Sequence, residues 1–417
     1  MLRKLLLAAA SKGAGSAISV VFTVLVARLL GAEGAGPVLF GLTVLTVGAA
    51  ALRLGFDSLL VKQVGAAGIG TMANTWVSRA ILLSSLAAVA PALIGFFWAE
   101  KIATALFNAP DFAPVLRWIA LSLPLLAIAN LLGFAFQGLR KPGLSVVGQN
   151  LGYLSLALLV VSLRHLWLDQ PLGAEDIAQT LFLATALTAL GLGVLWLRQP
   201  GARFIWQLRM QVSEVRAVAN LWLAMLMTLT VTWSGILLGG RFVTSQEIAF
   251  TAAAQRIAVL VVFILLVTDL LVAPVYARSF ARGDLEHLRQ IARRSTRAMA
   301  LIGVPVVAGL ILYAEQIMGL HGAEFAQAGP VLVIYVLGQL VNVCTGSVGQ
   351  LLMMCDGEGD YRLGETVAAG LTVTATLLLA PHYGALGIAI ASALGIATQN
   401  IFSYVMVRRR LGFYPGF

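Results

Sequence analysis

Apolar stretches of about 17 to 25 residues recur twelve times along this chain, separated by more polar segments: 14–30, 36–56, 79–99, 115–137, 143–163, 177–197, 217–239, 248–273, 298–314, 329–355, 364–380 and 384–407. A helix of that length crosses a ~30 Å hydrocarbon core, so the pattern predicts an all-α polytopic membrane protein with about twelve transmembrane helices. The outer loops run from a few residues to about fifteen, which leaves no room for an extramembrane domain and puts any function between the helices. The opening Met1–Lys12 imitates a signal peptide, but its apolar run before Lys12 is shorter than the ~7 to 15 residues of an h-region. It reads as a short cytoplasmic lead-in helix.

With 59% apolar and 11% charged residues and a mean hydropathy of +0.92, the chain lies far from a soluble domain, in which roughly 25% of residues are charged. Charge decides the orientation. Of 28 Lys and Arg, 21 fall in alternate loops assigned to the cytoplasm, four (Lys101, Arg117, Arg164, Arg241) fall on the outer side, and three (Arg28, Arg53, Arg256) fall inside spans. The positive-inside rule therefore puts both termini in the cytoplasm. The net charge of +10 sits in short loops beside spans, where anionic membrane lipids account for it, and a nucleic-acid partner is excluded.

An internal repeat organises the spans. Asp111-Phe112-Ala113-Pro114-Val115-Leu116 returns as Glu324-Phe325-Ala326, three inserted residues, then Pro330-Val331-Leu332. Leu29-Leu30-Gly31 pairs with Leu237-Leu238-Gly239, and Arg79 with Arg297, at offsets of 208 to 218. An even number of spans per repeat returns the chain to its starting side, so the two copies run parallel, related by an axis along the membrane normal. The expected division is an N-terminal six-helix lobe at 1–197, a cytoplasmic linker at 198–216 and a C-terminal six-helix lobe at 217–417, around a central cavity.

Polar residues inside spans are the candidate chemistry. Arg256 lies about eight residues into its span, roughly 12 Å deep, where an arginine costs several kcal/mol unless it faces a polar cavity or a partner. The alternatives are a cavity-facing cation, a structural ion pair, or a bond to a carbonyl. Arg28 and Arg53 lie nearer span ends and can snorkel; read functionally, their forked donors suit a diphosphate. Arg53 and Asp57, at i and i+4, are placed to pair. Asp269 is the one carboxylate expected inside the membrane and can carry a coupling proton, or else take a cap or interfacial role near Pro274. Gln339, Asn342, Gly346 and Gln350 share one face of the tenth span, which either lines a cavity or bonds neighbouring helices. Thr228, Thr230, Thr232, Trp233 and Ser234, and Asn130 and Gln137 after Pro124, carry the same two readings.

Other chemistry is excluded. Asp356-Gly357-Glu358-Gly359-Asp360 fails as an EF-hand loop because the sixth position is Tyr361 and the twelfth Val367. It reads as a solvated turn. There is no Walker A sequence, dinucleotide fingerprint or nucleophile elbow, and the four His are isolated in loops, so neither a cofactor nor a metal is expected. Cys344 and Cys355 stand eleven residues apart on one predicted helix, roughly 16 Å, too far for a disulfide. They read as packing residues.

Three segments carry a resemblance to a known family: Ala27-Arg28-Leu29-Leu30-Gly31-Ala32-Glu33-Gly34-Ala35-Gly36; Pro274-Val275-Tyr276-Ala277 followed by Arg282-Gly283-Asp284; and Gly322-Ala323-Glu324-Phe325 through Gly338-Gln339-Leu340-Val341-Asn342 to Gly357-Glu358. In order and spacing they resemble the Wzx-type oligosaccharide flippases (O-antigen translocases) of the multidrug/oligosaccharidyl-lipid/polysaccharide exporter superfamily. The chain departs from that family's frequent Met-Thr-Gly with Met354-Cys355-Asp356-Gly357. Lipid II flippases also resemble it but usually have fourteen spans. The resemblance implies a two-lobed bundle around a cationic cavity and alternating access. It implies a polyprenyl-pyrophosphate-linked oligosaccharide as cargo, moved from the inner to the outer leaflet of a bacterial inner membrane. On that reading Arg256, Arg28, Arg53, Gln339 and Asn342 bind cargo, Asp269 couples to H+ or Na+, and polysaccharide polymerase and export proteins are partners. Two alternatives stay open: an ion-coupled drug or metabolite antiporter, expected to show carboxylates and aromatics in its cavity, and a polytopic membrane glycosyltransferase or polymerase, which the short loops disfavour.

Overall fold

The computed structural model describes residues 2–167, 171–205, 207 and 209–416. All secondary structure among them is helical. The chain divides into two compact units, one formed by Ala14–Leu226 with Thr244–Ala249, the other by Met1–Gly13, Met227–Val243 and Phe250–Phe417.

The N-terminal unit is built from most of α1 (Leu2–Leu52), then α2 (Phe56–Ala67), α3 (Thr71–Phe97), α4 (Ala99–Phe107), α5 (Phe112–Gly138), α6 (Pro142–Val146), α7 (Gly152–Trp167), α8 (Ala174–Leu197) and the first half of α9 (Val212–Gly239). The C-terminal unit takes the rest of α9 and most of α10 (Ser245–Ala281), then α11 (Leu285–Leu312), α12 (Ala314–Gly319), a 3₁₀ turn, α13 (Gly329–Thr345), α14 (Val348–Met354) and α15 (Glu358–Leu411). Nine helices among the described residues are long and apolar enough to cross a membrane, or ten when the bent pair Pro142–Gln149 and Gly152–Trp167 is counted as one span.

That count differs from twelve because two pairs of expected spans are merged. α1 runs 51 residues and α15 runs 54, and each contains one glycine with non-helical backbone, Gly31 (φ 69°, ψ 178°) and Gly384 (φ 55°, ψ −133°). At 1.5 Å per residue, α15 would be about 80 Å long if straight, far more than one crossing needs. Both glycines fall where the hydropathy pattern puts a turn.

Two expected spans are interrupted where hydropathy shows nothing. The fifth changes direction by 63° about a π-helical turn, Val147–Leu151. The tenth stops at Thr345, and Gly346 (φ 80°) starts a new direction that α14 follows. A Cβ at Gly346 would collide with Thr296 Oγ1, so only glycine permits this approach of α13 to α11.

Each unit has its own core. Phe56, Trp76, Phe136 and Trp196 meet in the N-terminal unit, and Val272, Tyr276, Leu351 and Phe413 in the C-terminal one. Within each, an aromatic pair pins the turn that leads into a long helix: Phe40 against Phe112 (centroids 5.0 Å apart) and Phe250 against Phe325 (5.2 Å). Leu187, Leu301, Leu378 and Phe97 point outward, as side chains facing hydrocarbon do.

The expected linker 198–216, of which positions 206 and 208 lie outside the described residues, is pinned along α3. Asn74 Nδ2 donates to Gly201 O (2.8 Å), Ser78 Oγ accepts from Ile205 N (2.7 Å), and Arg79 donates through Nε to Gln207 O (3.0 Å). Arg79 also meets Glu214 at 3.5 Å.

Candidate functional site

Polar residues of α13 converge with those of four other helices inside the C-terminal unit. Gln339 and Asn342 lie a turn apart on α13, and the break at Gly346-Ser347 turns the chain so that Gln350 of α14 reaches the same wall. α9 contributes Thr228 and Thr232, one turn apart. α10 contributes Asp269, and α15 contributes Tyr361 near its start with Gln399, Asn400 and Ser403 near its end. These groups line a cavity of about 280 Å³. An adjoining space of about 350 Å³, lined by Val262, Leu265, Leu266, Asp269, Ala273 and Gln350, is apolar except for Asp269 and Gln350, which line both spaces.

Part of the wall's hydrogen-bonding capacity is spent within the wall. Asn342 Nδ2 donates to Gln339 Oε1 (3.2 Å), Asn400 Nδ2 donates to Ile396 O (2.8 Å), and Gln399 Nε2 donates to Glu365 Oε1. Asp269 Oδ1 is buried and has no hydrogen-bond partner among the described residues. Among those residues no Lys or Arg lines the space.

Of the site residues expected from sequence, Gln339, Asn342 and Asp269 are brought together on this wall, with Gly346, Gln350, Thr228 and Thr232 beside them. Asp269 is no cap, because α10 continues past Pro274 to Ala281. Arg256 lies elsewhere on α10: it is 7% exposed, its Nη1 donates to Ala252 O one turn back (3.1 Å), and it does not line the cavity. Arg28 is exposed near the Gly31 break.

Arg53 belongs to a polar cluster in the N-terminal unit. Its Nε meets Asp57 Oδ1 at 2.8 Å, as the i, i+4 spacing anticipates, and its Nη1 donates to Asn130 Oδ1 at 3.0 Å. Asn130 Nδ2 in turn donates to Gly148 O (3.2 Å) in the π-helical turn, whose Gln149 Nε2 donates to Gln137 Oε1 (3.0 Å).

Sequence reading missed Glu365. Hydropathy puts it at the first residues of a span, yet it is 2% exposed and held by Gln399. Its signal was a lone acid at the start of an apolar run, indistinguishable from an ordinary helix-end charge. The turn at Asp356–Asp360 is tied down by Arg410, which meets Asp360 Oδ2 at 2.9 Å and donates to Asp356 O at 2.8 Å. Among the described residues no group of three or more His, Cys, Asp or Glu is placed to hold a metal ion, and both cysteines are free.

Comparison with known proteins adds a family and a fold. A family model described as polysaccharide biosynthesis protein matches residues 1–280. Two Haloferax volcanii proteins are similar over part of the chain. The probable low-salt glycan biosynthesis flippase Agl15 is 20% identical over 171 residues, 41% of this chain and 36% of that protein. The probable flippase AglR is 27% identical over 189 residues, 44% and 39%. The matched stretch thus spans less than half the length of either relative. Among solved structures, an inward-facing MATE-family multidrug resistance transporter of the MOP superfamily aligns with a TM-score of 0.77 at 14% identity, covering 95% of this chain and 94% of that one. The lipid II flippase MurJ, in an inward closed conformation, aligns at 0.72 and 12% identity, covering 97% and 87%. A MOP-superfamily transporter from Pyrococcus furiosus aligns at 0.70 and 15%, covering 98% and 95%. At these identities the likeness establishes the fold.

Proposed function

On the premise that this chain belongs to the polysaccharide biosynthesis protein family, we propose that it is a flippase. It moves a polyprenyl-pyrophosphate-linked oligosaccharide from the inner to the outer leaflet of the inner (cytoplasmic) membrane by alternating access, for export of surface polysaccharide. The reading includes twelve crossings, with α1 and α15 each crossing twice about Gly31 and Gly384, two parallel six-span repeats, and both termini inside.

The observation that carries it is the cavity wall of amides and hydroxyls in the C-terminal unit. Sugars cannot cross hydrocarbon without such partners, while a polyprenyl tail can stay in lipid. The diphosphate is assigned to the guanidinium groups of the spans, Arg28, Arg53 and Arg256, whose paired donors fit phosphate oxygens. Polymerase and export proteins are the partners this role implies. In proteoliposomes loaded with a lipid-linked oligosaccharide, the wild type should expose cargo to an impermeant glycosidase. Arg256→Ala should reduce that rate at least about tenfold, and Arg256→Lys should restore part of it because charge remains without the fork. Unaltered flipping by Arg256→Ala would remove this residue from the binding set.

Energy must come from an ion gradient or from mass action, since no nucleotide-binding motif exists in the sequence. We assign the coupling proton to Asp269, with Glu365 as a second buried acid in the same unit. A ligand shifts an equilibrium between states only through its differential affinity for them. Asp269→Asn should therefore flatten the pH dependence of flipping under an imposed gradient, and wild-type pH dependence in that variant would place coupling elsewhere. The buried acids also favour a second reading, an ion-coupled antiporter of the same superfamily. Transport of small cations without any flipping would select it.

A further inference from the structure

The cavity in the C-terminal unit has a chemistry narrow enough to identify what it holds. An anion would need cations or a crowd of donors, and among the described residues no Lys or Arg lines the space, so the diphosphate of a lipid-linked sugar is not its occupant. A flat organic cation would need aromatic faces, and Tyr361 is the one aromatic residue on the wall among those described. What the wall offers is donors and acceptors side by side. The Gln350 side chain makes no hydrogen bond within the protein among the described residues, leaving its whole side-chain amide available. Gln339 spends its oxygen on Asn342 and keeps its NH₂ group, whereas Asn342 keeps its oxygen. Asp269 Oδ1 is a buried acceptor with no partner among the described residues.

Hydroxyl groups both give and take hydrogen bonds, and a ring bearing several of them satisfies amide NH₂ donors together with amide and carboxylate acceptors, whereas a bare cation uses the oxygens alone and leaves the donors unpaired. The volume agrees. About 280 Å³ corresponds to roughly nine waters at ~30 Å³ each, room enough for one pyranose ring with its substituents. The adjoining space shares Asp269 and Gln350 with the cavity and is otherwise apolar, so a ring seated on the amides would have a largely apolar neighbourhood on one side.

We infer that this cavity is a monosaccharide subsite: Gln339, Asn342, Gln350 and Asp269 hold one uncharged sugar ring by its hydroxyls, apart from any phosphate contact. The inference rests on the flippase reading for the source of the sugar, as part of a lipid-linked cargo, and the test separates the two.

The full-length protein in lipid nanodiscs is probed by saturation-transfer NMR with a panel of methyl glycosides covering hexoses, 6-deoxyhexoses and N-acetylhexosamines. At least one glycoside should receive saturation. Its affinity should fall about five- to tenfold in Gln339→Leu and in Gln350→Leu, the loss expected of one neutral hydrogen bond each. Inorganic pyrophosphate should not displace it. Gln350 has no partner to lose among the described residues, so the melting temperature of Gln350→Leu should stay at the wild-type value and its loss of affinity should report the cavity alone. Transfer to no glycoside, transfer unchanged in both variants, or displacement by pyrophosphate would each overturn the subsite. If vesicles flip lipid-linked oligosaccharide while no glycoside binds, the subsite falls and the flippase stands; if glycosides bind as stated but no lipid-linked cargo is flipped, the flippase reading falls and the subsite remains.

Discussion

Arg53 shows how a charge survives inside an apolar bundle. Its guanidinium is divided between Asp57 and the Asn130 amide, and Phe134 stacks 5.6 Å from it. Removing one partner of a buried pair strands the other, which typically costs about 3–5 kcal/mol, whereas replacing both by apolar residues is often neutral. Because both side chains here keep some solvent contact (11% and 15%), Arg53→Ala should cost about 2 kcal/mol, read as a lowered melting temperature in detergent. Arg53→Met with Asp57→Leu should recover most of it; if the double variant melts no higher than the single one, the pair is not what stabilises this region. The Arg53–Asp57 contact was legible from i, i+4 spacing, and the Gln339–Asn342 pair from i, i+3 spacing, because helix geometry alone brings such residues to one face, whereas Gln350, expected on the same helix face, reaches the wall only through the break at Gly346. Asn130 as the third partner, Glu365, and the Gln399–Asn400–Ser403 edge of the cavity were not. Their placement depends on which helices pack together, which one chain's periodicity does not encode.

Among elements, the two kinds of glycine break separate what hydropathy can and cannot reveal. Gly31 and Gly384 coincide with polar turns, so the breaks were expected as loops although the helices run on through them. Gly346 sits inside an apolar run and is required by the approach to Thr296, a tertiary cause with no local signature. The segment between the repeats is a similar case. Composition described Arg198–Arg216 as a cationic linker, but Ala202, Phe204 and Met210 pack onto the N-terminal core while Asn74 and Ser78 satisfy its backbone. A backbone held by buried side chains resists proteolysis, which requires local opening. Asn74→Ala with Ser78→Ala should therefore speed trypsin cleavage at Arg203 and Arg209 at least about tenfold in inside-out vesicles, two lost buried hydrogen bonds at ~1 kcal/mol each. Cleavage at the wild-type rate would mean the strap is held by its apolar contacts alone.

For the whole molecule, the repeat and the crossing count depend on each other. Phe40–Phe112 and Phe250–Phe325 are matching edge-to-face aromatic pairs whose members stand 210 and 213 residues apart. Those offsets fall within the 208 to 218 of the sequence repeat, which supports two parallel copies, and parallel copies require an even number of crossings in each. Single crossings by α1 and α15 would break that parity, because the residues flanking Gly31 and Gly384 would then lie within the bilayer. Glu33 and His382 are both exposed beside these breaks. In a background lacking cysteine (Cys344→Ser, Cys355→Ala), Glu33→Cys and His382→Cys should each react in intact cells with an impermeant maleimide, and Gln211→Cys, on the cationic strap, should react only after permeabilisation. Water-exposed thiols are needed for that reaction, since the thiolate is the nucleophile and hydrocarbon suppresses its formation. Silence at both Glu33 and His382 would leave α1 and α15 as single, steeply tilted spans and would remove the parallel repeat with them; reaction at Gln211 in intact cells would instead reverse the orientation expected from the 21-to-4 division of cations.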